Sequence, residues 1–294
     1  MRGALWMALS SVSFAAMSAL VRPASAEIHP FEVTFFRVLI GTVAMLPLTR
    51  GRPLFPERKR WAYVLRGVVD GSGMLLWFLA ITLMPLAEAT ALNFTAPLFG
   101  TLLAIVVLGE VVRVRRWLAI AIGLVGAMVI LRPGAREIDL PSLLVLGAAL
   151  ASAISRVTVR YLSRTEDADA IVRYHFMLVA PLALVPALFF WRWPNAETML
   201  WILAVAGFGT LGHICVARSY ALSETSEVAA LDFVQLVAAA ALGYVFFAES
   251  PDRWTWIGAG LISGAAIYIA RREARLRRER AVAQPRPAGV GPPT

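Results

Sequence analysis

Polar side chains interrupt two long apolar runs of this sequence, and they are the first residues that could do chemistry. Asn93 and Thr95 lie in one run, and Asp232 and Gln235 lie in another. An ionisable group inside an apolar span costs about 2.5–3.5 kcal/mol, so it needs a partner or a water-filled cavity. Such residues could bind a small polar molecule, and we therefore predict that all four line a substrate cavity.

A proline and three aromatic residues lie close to these polar positions. Pro97 removes a hydrogen bond within the helix and leaves a carbonyl free, so it predicts a helix break beside the cavity. Trp77, Phe94 and Phe233 are predicted as cavity walls, since aromatic faces suit a planar or cationic substrate. The open alternative is that the polar residues are only contacts between helices, worth about 0.6 kcal/mol each.

Three deeper ionisable residues are further candidates. Arg37 is predicted to bind substrate or to gate, unless its side chain reaches the membrane interface instead. Asp70 is either a substrate- or proton-carrying group or the partner of Arg66, because residues four apart are neighbours on a helix. His213, in mid-span, is a candidate acceptor of a coupling proton, with hydrogen-bonded packing as the alternative. Tyr174 and His175 are weaker candidates, because they lie roughly where the second half has its equivalents of Phe36 and Arg37.

The sequence holds no motif for catalysis. It contains no phosphate-binding loop, no metal-ligand spacing and no nucleophile elbow. We therefore predict no catalytic residue, no metal, no cofactor and no enzyme activity. The formal net charge of +9 does not predict a nucleic-acid partner, because the arginines lie beside apolar runs, where they hold helix ends at a membrane.

The composition identifies the elements that must position these residues. Of the 294 residues, 59% are hydrophobic and only 16% are charged, with a mean hydropathy of +0.70. Such values are typical of an integral membrane protein, with the lipid bilayer as its environment. We predict an all-α polytopic fold with ten transmembrane helices near 3–21, 31–49, 62–84, 87–108, 115–131, 140–159, 170–190, 199–221, 227–248 and 254–270.

Arginine positions predict the orientation of these helices. Arginines are frequent in the segments after helices two, four, six and ten and sparse on the opposite side. The positive-inside rule then places both termini in the cytoplasm. The first run imitates a cleavable signal, but it is about as long as a span and is needed to complete the repeat described next.

A shift of 139 residues superimposes the second half of the sequence on the first. It carries Glu88 onto Glu227, Glu110 onto Glu249 and Asn93 onto Asp232. We predict two repeats, at 1–134 and 135–272, followed at 273–294 by a basic and then Pro/Gly-rich disordered cytoplasmic tail. Because each repeat has five spans, the second must cross the membrane in the opposite sense, which is the inverted-repeat plan of secondary transporters.

Several motifs also resemble a known family. They are FFRVLIG (35–41), LAEATALNFTAPLF (86–99), LGE ending at 110 with RRW (115–117), ILRPG (130–134) and AES-PDRWTWIG (248–258). These resemble the EamA family of the drug/metabolite transporter superfamily. The resemblance implies a basket of helices around a central cavity, and alternating access for small organic metabolites across a bacterial inner membrane. The first half is most similar to the S-adenosylmethionine and riboflavin branch, although the family has small uncharged residues where Asp70 lies.

These observations together predict a secondary active transporter for a small organic metabolite, coupled to exchange or to protons. Its substrate would be S-adenosylmethionine, riboflavin or an amino-acid-like compound, and the protein would be a monomer or homodimer. An exporter of amino acids or drugs is the alternative within transport. A membrane enzyme or scaffold is the alternative from another class.

Overall fold

The computed structural model describes residues 2–45, 59–108, 114–131, 139–162, 166, 168–222 and 234–283. Every regular element in these ranges is an α-helix. In chain order they are α1 (Arg2–Ala24), α2 (Pro30–Met45), α3 (Arg60–Leu83), α4 (Leu86–Asn93), α5 (Ala96–Leu108), α6 (Val114–Leu131), α7 (Leu140–Leu162), α8 (Ala168–Leu188), α9 (Ala196–Leu222), α10 (Val234–Phe247) and α11 (Arg253–Ala283).

The described helices have the lengths and surfaces of membrane spans. Four contain stretches long and apolar enough to cross a bilayer: Leu5–Ala24, Arg60–Leu83, Leu140–Thr158 and Ala196–Cys215. Large apolar side chains also face outward, as Leu118, Val125 and Met128 of α6 do at 56%, 52% and 59% exposure. A soluble protein rarely exposes so much contiguous apolar surface. The predicted all-α membrane fold is confirmed.

The predicted span at 87–108 is two helices rather than one. Helix α4 ends at Asn93, and α5 begins at Ala96 after a two-residue turn. The Phe94 and Thr95 amides still donate backward, to the Ala91 and Leu92 carbonyls at 3.2 and 3.0 Å. Pro97 has no N–H to give to the carbonyl four residues before it, that of Asn93, so the helical ladder is interrupted there.

Helix packing repeats under the same 139-residue shift. The shift relates α1, α2 and α3 to α7, α8 and α9, and it relates α6 to α11. Helix α1 packs on α9 and α3 packs on α7, while α2 pairs with α8 and α6 pairs with α11. Each packed pair is thus carried onto itself or onto its counterpart, as expected of two inverted five-helix repeats.

The α6–α11 pair shows how closely the two repeats approach. A Cβ atom placed on Gly126 would lie 2.8 Å from the Gly258 carbonyl oxygen, and one on Gly258 would lie 2.5 Å from the Gly126 oxygen. Only glycine permits this backbone contact. Small residues at helix contacts are the usual means of close packing in membranes, where burial of apolar surface adds no driving force.

The connections alternate between two ends of the bundle. The segments at 25–29, 84–85, 189–195 and 248–252 lie together, and we call this end the Glu249 face. The other end, the Lys59 face, brings Lys59 to the Tyr161 carbonyl at 3.5 Å and the Tyr63 hydroxyl to Glu166 at 3.4 Å.

The last helix extends beyond the predicted tenth span. Helix α11 continues through the basic part of the assigned tail to Ala283. Residues 271–283 are mostly Arg, Ala, Leu and Glu, which are strong helix formers. The Pro- and Gly-rich residues 284–294 lie outside the described part of the chain.

Candidate functional site

A buried charged group lies where helices of the two repeats meet. It consists of Arg37 on α2, Asp70 on α3 and His175 on α8. The His175 Nε2 atom lies 3.3 Å from Asp70 Oδ2, and their side chains are 2% and 26% exposed. Arg37 and Asp70 interact electrostatically without direct contact. We call these three residues the central charged group.

The side chains around Arg37 offer its guanidinium few hydrogen-bond acceptors. The residue is 4% exposed, its Nη1 donates to the Met74 sulfur at 2.8 Å, and its guanidinium carbon lies 5.6 Å from the centre of the Phe78 ring. A thioether is a weak acceptor, and a ring face offers no lone pair. The Nε atom is buried and has no hydrogen-bond partner among the described residues. Donor capacity for a ligand is therefore left over.

Asp70 interacts with Arg66, the alternative partner one turn away, through space and not through a hydrogen bond. Arg66 instead donates from Nη1 to the Ile171 carbonyl of α8 at 2.6 Å. The Asp70 carboxylate instead lies 3.3 Å from His175 Nε2, although neither ring nitrogen of His175 has a hydrogen-bond partner among the described residues.

His213 lies beside this group, between two aromatic rings. Its ring is edge-on to Phe14 at 5.1 Å and to Phe176 at 6.0 Å between centroids. Trp77 is on the same side of the bundle, where its indole N–H donates to the Ser18 hydroxyl at 3.3 Å. The structure thus brings Arg37, Asp70, Trp77 and His213 into the region enclosed by α1, α2, α3, α8 and α9.

The remaining predicted residues of the first repeat form a second group at the α4–α5 break. Asn93 Oδ1 is buried without a hydrogen-bond partner among the described residues, and the Thr95 hydroxyl donates to the Leu92 carbonyl at 2.8 Å. Phe94 and Pro97 flank them and are partly buried. Helix α4, which carries Asn93, packs mainly against α7, α10 and α11 of the second repeat.

The predicted residues of the second repeat are only partly visible. Gln235 is the second residue of α10 and is partly buried. Asp232 and Phe233 lie outside the described residues. Their role as counterparts of Asn93 and Phe94 remains a prediction.

Two residues that contact Arg37 were not predicted as site residues from the sequence. Gly209 packs against the Arg37 guanidinium, and Met74 accepts from it. Neither residue type marks a polar site by itself. The usable signal was the repeat, because the 139-residue shift relates Asp70 to Gly209 and Met74 to His213.

The Glu249 face is closed by an ion pair between the repeats. Arg22 at the end of α1 pairs with Glu249, with side-chain exposures of 17% and 16%. Arg22 also donates to the carbonyls of Ile81 and Met84, and Glu249 Oε2 accepts from the Leu86 amide at 2.9 Å. One arginine and one glutamate thereby join α1, the end of α3, the start of α4 and the 248–252 segment. We call this arrangement the Arg22–Glu249 latch.

The latch borders a cavity of about 150 Å³ that lies between α4, α10 and the start of α11. Two glutamates line it, Glu88 in the first turn of α4 and Glu249 after α10. Within the described part of the chain, no three His, Cys, Asp or Glu residues are grouped to hold a metal ion.

Other contacts reinforce closure of the same face. Glu32 accepts from the backbone amides of His29 and Arg192 at 2.9 and 2.7 Å. The His29 ring stacks on Phe190 at 4.0 Å, and burial lowers the pKa of His29 below its usual value, although Glu32 acts in the opposite direction. These contacts tie the loop between α1 and α2 to the loop between α8 and α9.

Comparison with known proteins places these features in a family. The model of the EamA-like transporter family matches residues 1–132 and 140–271. The chain is 32% identical to a riboflavin transporter of Vibrio cholerae, over 96% of this chain and 98% of that protein. It is 31% identical to a pseudopaline exporter of Pseudomonas aeruginosa, over 92% and 96%, and 26% identical to an S-adenosylmethionine uptake transporter of Rickettsia felis, over 90% of each.

A solved crystal structure shares the fold. It superimposes with a TM-score of 0.62 over 92% of this chain and 98% of the other, at 20% sequence identity. At this identity the likeness concerns the fold alone.

Proposed function

The chain belongs to the EamA-like transporter family, and from that premise we propose that it is a secondary active carrier of a small organic metabolite. It is a multi-pass membrane transporter rather than an enzyme. The proposal adds alternating access around the central charged group, coupling to exchange or protons, residence in a bacterial inner membrane and cytoplasmic termini. Relatives make riboflavin and S-adenosylmethionine the first substrates to test.

The observation that carries the proposal is the depth and origin of the charged group. Arg37 and His175 are buried and Asp70 is partly buried within the spans, where an ionisable group without function is costly. They also come from α2, α3 and α8, on both sides of the boundary between repeats. Rocking of the repeats would therefore change their surroundings, as a carrier requires of its binding site.

The Arg22–Glu249 latch supports the alternating part of the proposal. It joins the repeats at the Glu249 face, which the arginine distribution assigns to the outside. The described conformation is then closed outward, and transport requires the latch to open. Export remains a second candidate because a relative of similar identity is named an exporter.

Counterflow into proteoliposomes tests the proposal. The purified protein should exchange radiolabelled riboflavin or S-adenosylmethionine, and Asp70→Asn should reduce the rate at least about tenfold because the Arg37 charge loses its counter-charge. The matched control is Asp139→Asn, at an exposed carboxylate before α7 that only caps Ser142 at 3.1 Å. Equal rates in the two variants would contradict the assignment of the site, and no flux of any tested metabolite would contradict the carrier itself.

A further inference from the structure

The sequence repeat reveals an imbalance at the centre of the protein. The 139-residue shift relates Arg37 to Phe176 and Asp70 to Gly209. The first repeat therefore supplies a guanidinium and a carboxylate, whereas the second supplies a phenyl ring and no side chain. Gly209 of α9 packs directly against Arg37 of α2. The position next to Arg37 therefore has no carboxylate, although its counterpart in the first repeat has one.

Arg37 turns its bidentate edge toward this position. A Cβ atom on Gly209 would lie 2.8 Å from Arg37 Nε and 2.9 Å from Nη2. These two nitrogens direct parallel N–H groups from one edge of the guanidinium, and that edge binds carboxylate or phosphate through two hydrogen bonds. The opposite nitrogen, Nη1, is already engaged by Met74. The Nε atom is buried and has no hydrogen-bond partner among the described residues, so this edge has unused donor capacity although α9 covers it.

The charge balance favours an anion there. Two guanidinium groups, those of Arg37 and Arg66, share the carboxylate of Asp70, which also contacts His175. Glu32, on the same helix as Arg37, is occupied by the amides of His29 and Arg192 at the Glu249 face. A buried cation that lacks a full counter-charge is costly, and an anionic ligand would supply it.

We propose that the Nε–Nη2 edge of Arg37 binds a carboxylate or phosphate group of the transported molecule, in the space beside Gly209. The inference rests on the proposed carrier function and narrows its substrate to metabolites with such an oxyanion. In the described conformation the α9 backbone lies against the edge, so the ligand enters when α9 moves away from α2. Rocking of the second repeat against the first supplies that motion.

A tethered carboxylate tests the site without knowledge of the substrate. Gly209→Asp places an anion beside Arg37, and Gly209→Asn places a neutral group of equal size, so steric strain is matched. The atoms that must yield belong to two flexible side chains, those of Arg37 and Met17. We expect the aspartate variant to melt roughly 3 °C or more above the asparagine variant in detergent. The difference should vanish in an Arg37→Gln background. An aspartate variant no more stable than the asparagine variant, or a difference that persists without Arg37, would overturn the proposal.

A second comparison uses the intact protein and two pairs of compounds that differ by one anionic group. Counterflow is measured with riboflavin and its 5′-phosphate, and with S-adenosylmethionine and its decarboxylated form. If the phosphorylated member exchanges at least tenfold faster than its partner, the group that Arg37 binds is a phosphate. If the carboxylated member does so, the group is a carboxylate. Gly209→Ala should remove the preference, whereas Gly207→Ala, with nothing within 4 Å of its added Cβ, should keep it.

The two failures can be told apart. Faster or equal exchange of the members that lack the anion overturns the Arg37 site and leaves the carrier function standing. No exchange of any of the four compounds counts against the carrier function, while the Gly209 variants still decide whether the Arg37 edge attracts an anion.

Discussion

Opening of the Glu249 face should respond to a single charge. Glu249 accepts from the Arg22 guanidinium and from the Leu86 amide. Glu249→Gln keeps the shape of the side chain but removes the negative charge, and its single amide oxygen can accept from only one of the two donors. We therefore expect the fold to persist and the face to open more often.

The magnitude follows from the two contacts. A hydrogen bond to a charged group contributes about 1.5–3 kcal/mol, against about 0.5–1.5 kcal/mol for a neutral one. The side chains are 17% and 16% exposed, so part of the gain is screened by water. A combined loss of about 1–2 kcal/mol remains, and it raises the open population roughly 5- to 30-fold.

A cysteine introduced on α1, one turn from the latch on the interior side, can report the opening of the Glu249 face. Ser18 lies one turn before Arg22 on α1 and is 2% exposed. Ser18→Cys in a Cys215→Ser background gives a single thiol, whose labelling by a membrane-impermeant maleimide is followed in proteoliposomes. The labelling rate should rise by the same factor as the open population, provided that opening precedes each labelling event and is fast.

Glu197→Gln is the matched control, since Glu197 is an exposed residue in the first turn of α9. Its labelling rate should equal that of the parent. Equal rates for the Glu249 and Glu197 variants would refute the latch as the contact that closes this face. A fall in the rate for Glu249→Gln would refute the sign of its effect.

Three further outcomes are expected. Gly126→Ala forces a Cβ to 2.8 Å from the Gly258 carbonyl oxygen, so it should destabilise the folded protein by about 1–3 kcal/mol and lower its melting temperature. Gly260→Ala has open space around its added Cβ and should leave the melting temperature unchanged. Equal melting temperatures of the two variants would contradict the close contact. Pro97→Ala restores an N–H that can join the helical hydrogen bonds, so it should slow counterflow without lowering the melting temperature. An unchanged counterflow rate would show that transport does not depend on the helix break. Burial lowers the pKa of His29 in the folded protein, so the neutral stacked ring contributes stability above pH 6.5. That stability should be lost as the pH falls through the lowered pKa of the folded state. An NMR titration of His29 with a midpoint at or above pH 6.5 would contradict this.

Predictions from the sequence were strongest for residues that the membrane interior disfavours. Arg37, Asp70 and His213 are recognisable in sequence because each interrupts a run that is otherwise apolar, and the cost of burying them does not depend on their neighbours. The two halves were recognisable for a similar reason, since matched residues recur at a fixed shift. Pro97 indicated a break through its missing N–H, which is a local property.

The partners of these residues could not be read in the same way. Helix periodicity predicted Arg66 as the neighbour of Asp70, but α8 lies closer and provides both His175 for Asp70 and the Ile171 carbonyl for Arg66. The edge of Arg37 faces Gly209 only because α2 packs on α9. Which faces of separate helices meet is set by packing over the whole bundle and not by spacing along one helix.

By itself, then, the amino-acid sequence determined that this protein lives in a bilayer as a duplicated set of helices with charges buried inside. Those properties depend on transfer of side chains from water to lipid, which each residue carries with it. The tertiary structure alone decided which groups each buried charge meets and that Arg37 Nε has no hydrogen-bond partner among the described residues. Electrostatic balance depends on distances between atoms far apart in the chain, and only the folded arrangement fixes them.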